Sequence, residues 1–110
     1  MPQPNMQQLL KQAQKMQEEM LAAQESLKHD VVEASAGGGM VTVKVTGDLH
    51  VQSITIDPQA IDPDDPELLA DMVTAAVNEA LRSAQELASA KLGGIAGGLE
   101  GLGGLGLPGL

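Results

Sequence analysis

The sequence predicts an α+β fold: a long N-terminal helix, a three-stranded antiparallel sheet and a long C-terminal helix, in the order α-β-β-β-α. Two stretches, Met6 to Lys28 and Pro66 to Leu92, repeat apolar residues at helical intervals. Between them, Val41, Val43 and Val45 alternate with Thr42, Lys44 and Thr46, the period of a strand with one face turned inward. Glycines punctuate this middle region, with Gly37-Gly38-Gly39 before the valine strand and Gly47-Asp48 after it.

Asn5 is placed to cap the first helix, because its short side chain can accept a backbone N–H of the first turn. Met6, Leu9, Ala13, Met16, Met20, Ala23 and Leu27 then step alternately by three and four, which is a heptad seam; Leu10 and Leu21 widen it. Such a helix is roughly 35 Å long, longer than the hairpin it would cover. Part of the seam is therefore expected to stay exposed in a single chain. A second copy is the plainest cover, with Met6, Leu9, Met16 and Met20 as contacts.

Asp30 to Ala36 reads as the first strand, followed by the glycine link and the valine strand. Gly47-Asp48 makes the next turn. The returning run His50 to Ile56 is β-branched, but its apolar phase slips between Val51 and Ile54, which predicts a bulge. A hairpin alone is marginal in water, so these strands must pack on the flanking helices.

Six carboxylates follow between Asp57 and Asp71. A cation site would need converging oxygens on a defined loop, whereas Pro58, Pro63 and Pro66 stiffen this segment and no calcium-loop glycine is present. Capping explains the residues better: Asp65 precedes Pro66 at the first helical position, and Glu67 favours the positive end of the dipole. The second helix then carries Leu69, Met72, Val73, Ala76, Val77, Ala80, Ala84, Leu87 and Ala88 on one face, rich in small residues that permit close approach. Asn78 beside this stripe reads as an exposed polar residue, and Gly93-Gly94 is expected to end the helix.

The 110 residues fit one domain, residues 1–92, with a flexible Gly/Leu-rich tail over 93–110, where nine of eighteen positions are glycine. Phe, Tyr and Trp are absent, so the core is aliphatic and no base can stack on an aromatic ring, which disfavours single-strand and RNA-reading modules. A net charge of −9 repels polyanions at long range, so any nucleic-acid contact must be local. There is no cysteine for a disulfide or thiolate metal site, no signal-like N-terminus, and no apolar run of the ~18 residues that crosses a membrane. His29 and His50 lack ligand-spaced partners, and none of the serines sits in a nucleophile-elbow context. Neither an enzyme nor a metal, a cofactor or a small-molecule substrate is expected.

Four pieces, in order and at consistent spacing, carry a resemblance. They are Leu10-Lys11-Gln12-Ala13-Gln14-Lys15-Met16-Gln17, Gly38-Gly39-Met40-Val41 with Gly47, Ile56-Asp57-Pro58, and Asp71-Met72-Val73-Thr74-Ala75-Ala76-Val77-Asn78-Glu79-Ala80. Over about residues 5–90 the chain resembles the YbaB/EbfC family of bacterial nucleoid-associated proteins. The resemblance implies a homodimer joined through sheets and helices, which adds Val41 and Val43 to the expected contacts, with paired helices projecting like tweezers. It also implies binding of double-stranded DNA with little sequence preference, in the cytoplasm at the nucleoid, and an influence on nucleoid organisation or transcription. Thr42 and Ser83 depart from it, standing where many members carry lysine.

The candidate DNA contacts are Lys11, Lys15, Lys28 and Arg82, while Lys44 and Lys91 read as solvated charges. Lys11 and Lys15, one turn apart, share a helical face. Four such lysines and both Arg82 of a dimer would neutralise about six phosphates, a log–log salt slope near −5. The alternative is an acidic protein-interaction module that recruits a basic or apolar partner. The two readings divide on whether acidic residues interleave the basic ones.

Overall fold

The computed structural model describes residues 5–103, with side-chain surroundings through Ile95. Helix α1 spans Met6–Leu27, strands β1, β2 and β3 span Val31–Ala36, Val41–Thr46 and Val51–Ile56, a 3-10 turn covers Pro58–Ala60, and helix α2 spans Pro66–Gly103. The sheet is antiparallel in the order β1-β2-β3, so the valine strand is central.

Local chemistry sets most boundaries. Asn5 Oδ1 accepts the Gln7 N–H at 3.0 Å and opens α1 as expected. Asp57 accepts the N–H of Gln59 at 2.9 Å, Asp62 that of Asp64 at 2.9 Å, and Asp65 that of Leu68 at 3.3 Å. The carboxylates of this segment thus shape turns and cap α2. Gly37, Gly38 and Gly39 all lie at positive φ, and a Cβ on Gly37 would run into Met72 Sδ of α2. In the β2–β3 turn, however, the left-handed residue is Leu49, at φ 68°. Gly47 is needed for a different reason: a Cβ there would stand 2.7 Å from the Leu27 carbonyl oxygen at the end of α1.

The core lies between α2 and one face of the sheet. Val41, Val43 and Val45 are fully buried with Ala76, Ala80 and Ala84, and Val32, Ala34, Ala36, Leu69, Met72, Val73 and Val77 close around them. The whole apolar stripe expected on α2 is buried or half-buried. Val41 and Val43, expected at the dimer contact, instead have their side chains buried under α2 of their own chain. They have no surface left for a second copy.

Lys44 faces Ser53 across the strands, but Val45 faces Val51, so Gln52 is an extra residue on β3. This bulge is the predicted phase slip, and it returns Val51 and Ile54 to the same face as the core valines. Yet α2 packs mainly on β1 and β2. A helix about 10 Å across covers about two strands spaced ~4.8 Å apart, so most of β3 is left bare, with Val51 46% and Ile54 44% exposed, while Ile56 at its end packs half-buried against the core.

One boundary differs plainly from expectation. Gly93-Gly94 does not end α2, which continues to Gly103. Neither glycine takes the left-handed conformation that terminates a helix; each instead carries the ordinary helical penalty of about 1 kcal/mol relative to alanine. Of the tail expected over 93–110, residues 104–110 lie outside the described residues.

Candidate nucleic-acid interface

Helix α1 is anchored only at its C-terminal end. Ala23 and Leu27 are buried, Met16, Met20 and Ser26 are half-buried, and every residue from Asn5 to Lys15 is exposed. With Met6 at 74% and Leu10 at 61% exposure, the N-terminal part of the seam has no cover among the described residues. The reason is geometric. At ~1.5 Å per residue the helix outruns a sheet whose strands have six residues, and the molecule extends 76 × 28 × 16 Å.

The projecting arm is also where free positive charge collects. Residues 5–17 contain Lys11 and Lys15 and no carboxylate, in a chain with fifteen Asp and Glu against six Lys and Arg. The first turn of α1 holds no acidic residue, so the positive end of the helix dipole is not offset there. Among the described residues, neither Lys11 nor Lys15 forms an ion pair. The nearest acids along the helix are Glu18 and Glu19, on the body side of the lysines.

The other two candidates differ. Arg82 donates from Nε to Glu79 Oε2 at 3.2 Å and from Nη1 to Glu86 Oε1 at 2.6 Å, so its guanidinium is bracketed by two carboxylates. Hydrogen bonding and attraction to Glu79 push the Arg82 pKa up, while the Arg82 hydrogen bonds hold the Glu79 carboxyl below the usual range. Lys28 pairs with Glu25 at 3.2 Å, and its hydrogen bond lowers the Glu25 pKa. Sequence reasoning grouped these two with Lys11 and Lys15. Both have a glutamate at i−3, and Arg82 has a second at i+4, but Lys15 has Glu18 and Glu19 at i+3 and i+4, so spacing alone does not separate the two groups.

Lys44 lies exposed on the outer face of β2, with Glu33 opposite it on β1. Lys91 is not the solvated charge expected. Its Nζ donates to Ser26 Oγ and to Asp30 Oδ2, both at 2.6 Å, joining α2 to the foot of α1. Asn78 is exposed, as read from the sequence. Among the described residues no group of His, Asp and Glu gathers in a way that could hold a metal ion, and no helix is long and apolar enough to cross a membrane.

An α-β-β-β-α protein with a helical arm whose tip is basic is a shape suited to a polyanion. The chain belongs to the YbaB/EbfC DNA-binding family, whose profile matches residues 1–99. Its relatives carry the name nucleoid-associated protein. The one from Saccharopolyspora erythraea is 55% identical over 98% of this chain and 96% of its own. The one from Acetivibrio thermocellus is 55% identical over 92% of this chain and 89% of its own. Among solved structures, an uncharacterized protein from Helicobacter pylori superposes with a TM-score of 0.65. It is 24% identical over 76% of this chain and 88% of its own, a likeness of fold.

Proposed function

We propose that this protein is a nucleoid-associated homodimer that binds double-stranded DNA through the tips of its α1 arms, with little sequence preference, in the bacterial cytoplasm. The observation that carries the reading is the carboxylate-free arm with Lys11 and Lys15 unpaired, in an otherwise acidic molecule. Phosphate contacts from lysines fix position without reading bases, which accounts for loose sequence preference. Bridging of DNA by two arms would organise the nucleoid and so influence gene expression.

Uncovered apolar surface supports the homodimer. Met6 and Leu9, with Met16 and Met20 nearer the body, line the arm; Val51 and Ile54 form a second bare patch on β3. Exposed apolar surface of this kind marks an interface in soluble proteins. The test of function is anisotropy of a labelled mixed-sequence duplex titrated at several salt concentrations. With Arg82 held by its glutamates, the four lysines of two arms are the phosphate contacts, so the log–log slope is expected near −3.6 rather than −5. No saturable binding at low salt would refute DNA binding and move the search to basic or apolar protein partners of the acidic surface.

A further inference from the structure

The arm can present its lysines to a duplex only if its direction is fixed, and little of its length touches the body. Besides the burial of Ala23 and Leu27, three contacts hold its foot. Leu27 sits over Gly47, whose missing side chain leaves room for the Leu27 carbonyl oxygen. The Gly47 N–H donates to the Asp30 carbonyl oxygen at 2.9 Å, and the Asp30 N–H donates to the Ser26 carbonyl oxygen at 3.1 Å. Lys91 of α2 closes the third side, reaching Ser26 Oγ and Asp30 Oδ2 at 2.6 Å each.

The Lys91–Asp30 pair is unlike the other ion pairs among the described residues, which all join residues within four positions of each other. It spans 61 positions, and both its side chains are shielded, at 32% and 35% exposed, whereas each of the other pairs has at least one partner more than half exposed. Shielding lowers the local dielectric and strengthens the pair relative to exposed ones. Small angular freedom at this foot is magnified at the tip. Lys11 lies about 22 Å along the helix from Ser26, so a swing of about 15° moves it about 6 Å, more than the ~3.4 Å axial spacing of phosphates on one strand.

We infer that Lys91, with Asp30 and Ser26, is a positioning clasp that sets the direction of the α1 arm and thereby the register of Lys11 and Lys15 on DNA. Lys91 acts through α1 and does not itself touch phosphate. The link to DNA rests on the function proposed above; the effect on the arm stands apart from it.

The natural sequence has no cysteine, so spin labels on Gln8→Cys and Gln85→Cys in the full-length chain, diluted into unlabelled chain, report the distance between arm and α2. Lys91→Met and Asp30→Asn are each expected to broaden that distance distribution and to weaken duplex binding about three- to tenfold. The Asp30→Asn result is the sharper one. That change removes a negative charge from a DNA-binding molecule, so bulk electrostatics alone would strengthen binding. The charge-swapped pair Asp30→Lys with Lys91→Asp is expected to restore a narrow distribution and most of the affinity, at unchanged net charge. Should Lys91→Met fail to fold, Asp30→Asn, of nearly the same shape as the native residue, reads the same two quantities. Narrow, native-like distances in the variants, or tighter binding by Asp30→Asn, would overturn the clasp. If the natural protein binds no duplex, the distance distributions alone decide whether the clasp holds the arm.

Discussion

The N-terminal half of α1 and the middle of α2 are both amphipathic helices carrying basic residues, and they end in opposite situations. Ala76, Ala80 and Ala84 let α2 lie close on the valines of β2, and its stripe disappears into the core. The larger Met and Leu residues of α1 have no sheet beneath them and remain at the surface. The charges diverge in the same way. Arg82 on α2 is bracketed by Glu79 and Glu86, whereas among the described residues Lys11 and Lys15 on α1 form no ion pair, although Glu18 and Glu19 follow Lys15 at i+3 and i+4. A basic residue is available to a polyanion when no carboxylate is bonded to it, which among the described residues holds for Lys11 and Lys15 and not for Arg82. Formal charge counts miss this distinction.

The largest expected effect tests that contrast directly. Changing both Lys11→Glu and Lys15→Glu should lower duplex affinity at low salt by more than about a hundredfold and abolish the salt slope. Arg82→Gln should change affinity by less than about threefold and leave the slope near −3.6. Equal losses in the two variants, measured by anisotropy, would place Arg82 back among the contacts.

Next comes the packing contrast. Ala80→Leu forces added volume between α2 and the sheet and should destabilise the fold by about 1–3 kcal/mol. Leu10→Ala, on the exposed arm, should stay within about 0.5 kcal/mol of the natural chain in the dilute protein. Urea unfolding followed by circular dichroism measures both, and a Leu10→Ala cost as large as that of Ala80→Leu would mean the arm is covered within the protomer.

The seam gives a third test. Met16→Glu puts a charge in the middle of the stripe proposed to meet a second copy. Light scattering should then report a monomer with its helical content intact. A retained dimer mass would shift the interface to Val51 and Ile54 on β3.

Acid titration should have the smallest effect. The folded pKa values of Glu79 and Glu25 lie below the ordinary glutamate value of 4.5, and that of Asp48 lies below 3.8, its Thr46 hydrogen bond being the main cause. Their stabilising contribution is therefore fully present above those ordinary values and is lost as pH falls through the lowered ones. Glu79 and Glu25 are exposed, and Asp48 is half-buried beside an exposed His50, so the loss is small. Comparing urea midpoints at neutral and acid pH, Glu79→Gln should lose slightly less stability on acidification than the natural chain. A larger loss in Glu79→Gln would reverse the assigned sign.

Much of this molecule follows from its one-dimensional pattern, because the determining interactions are local. Asn5 and Asp65 cap helices through backbone groups two or three residues away. The valine alternation and the phase slip at Gln52 specify which strand face is apolar, bulge included. Two lysines a turn apart within a carboxylate-free stretch identify the basic arm. Tertiary structure decided the rest, where the partner is remote or where several local options have similar energy. Periodicity cannot say that one helix of limited width covers β1 and β2 and leaves most of β3 bare, nor that Val41 and Val43 belong to the chain's own core. The pairing of Lys91 with Asp30 joins residues 61 positions apart and has no local trace. Helix α2 continues through Gly93-Gly94 because glycine lowers helix stability without forbidding it. A sequence pattern fixes which surface each element offers, and chain folding in three dimensions decides which of those surfaces finds a cover.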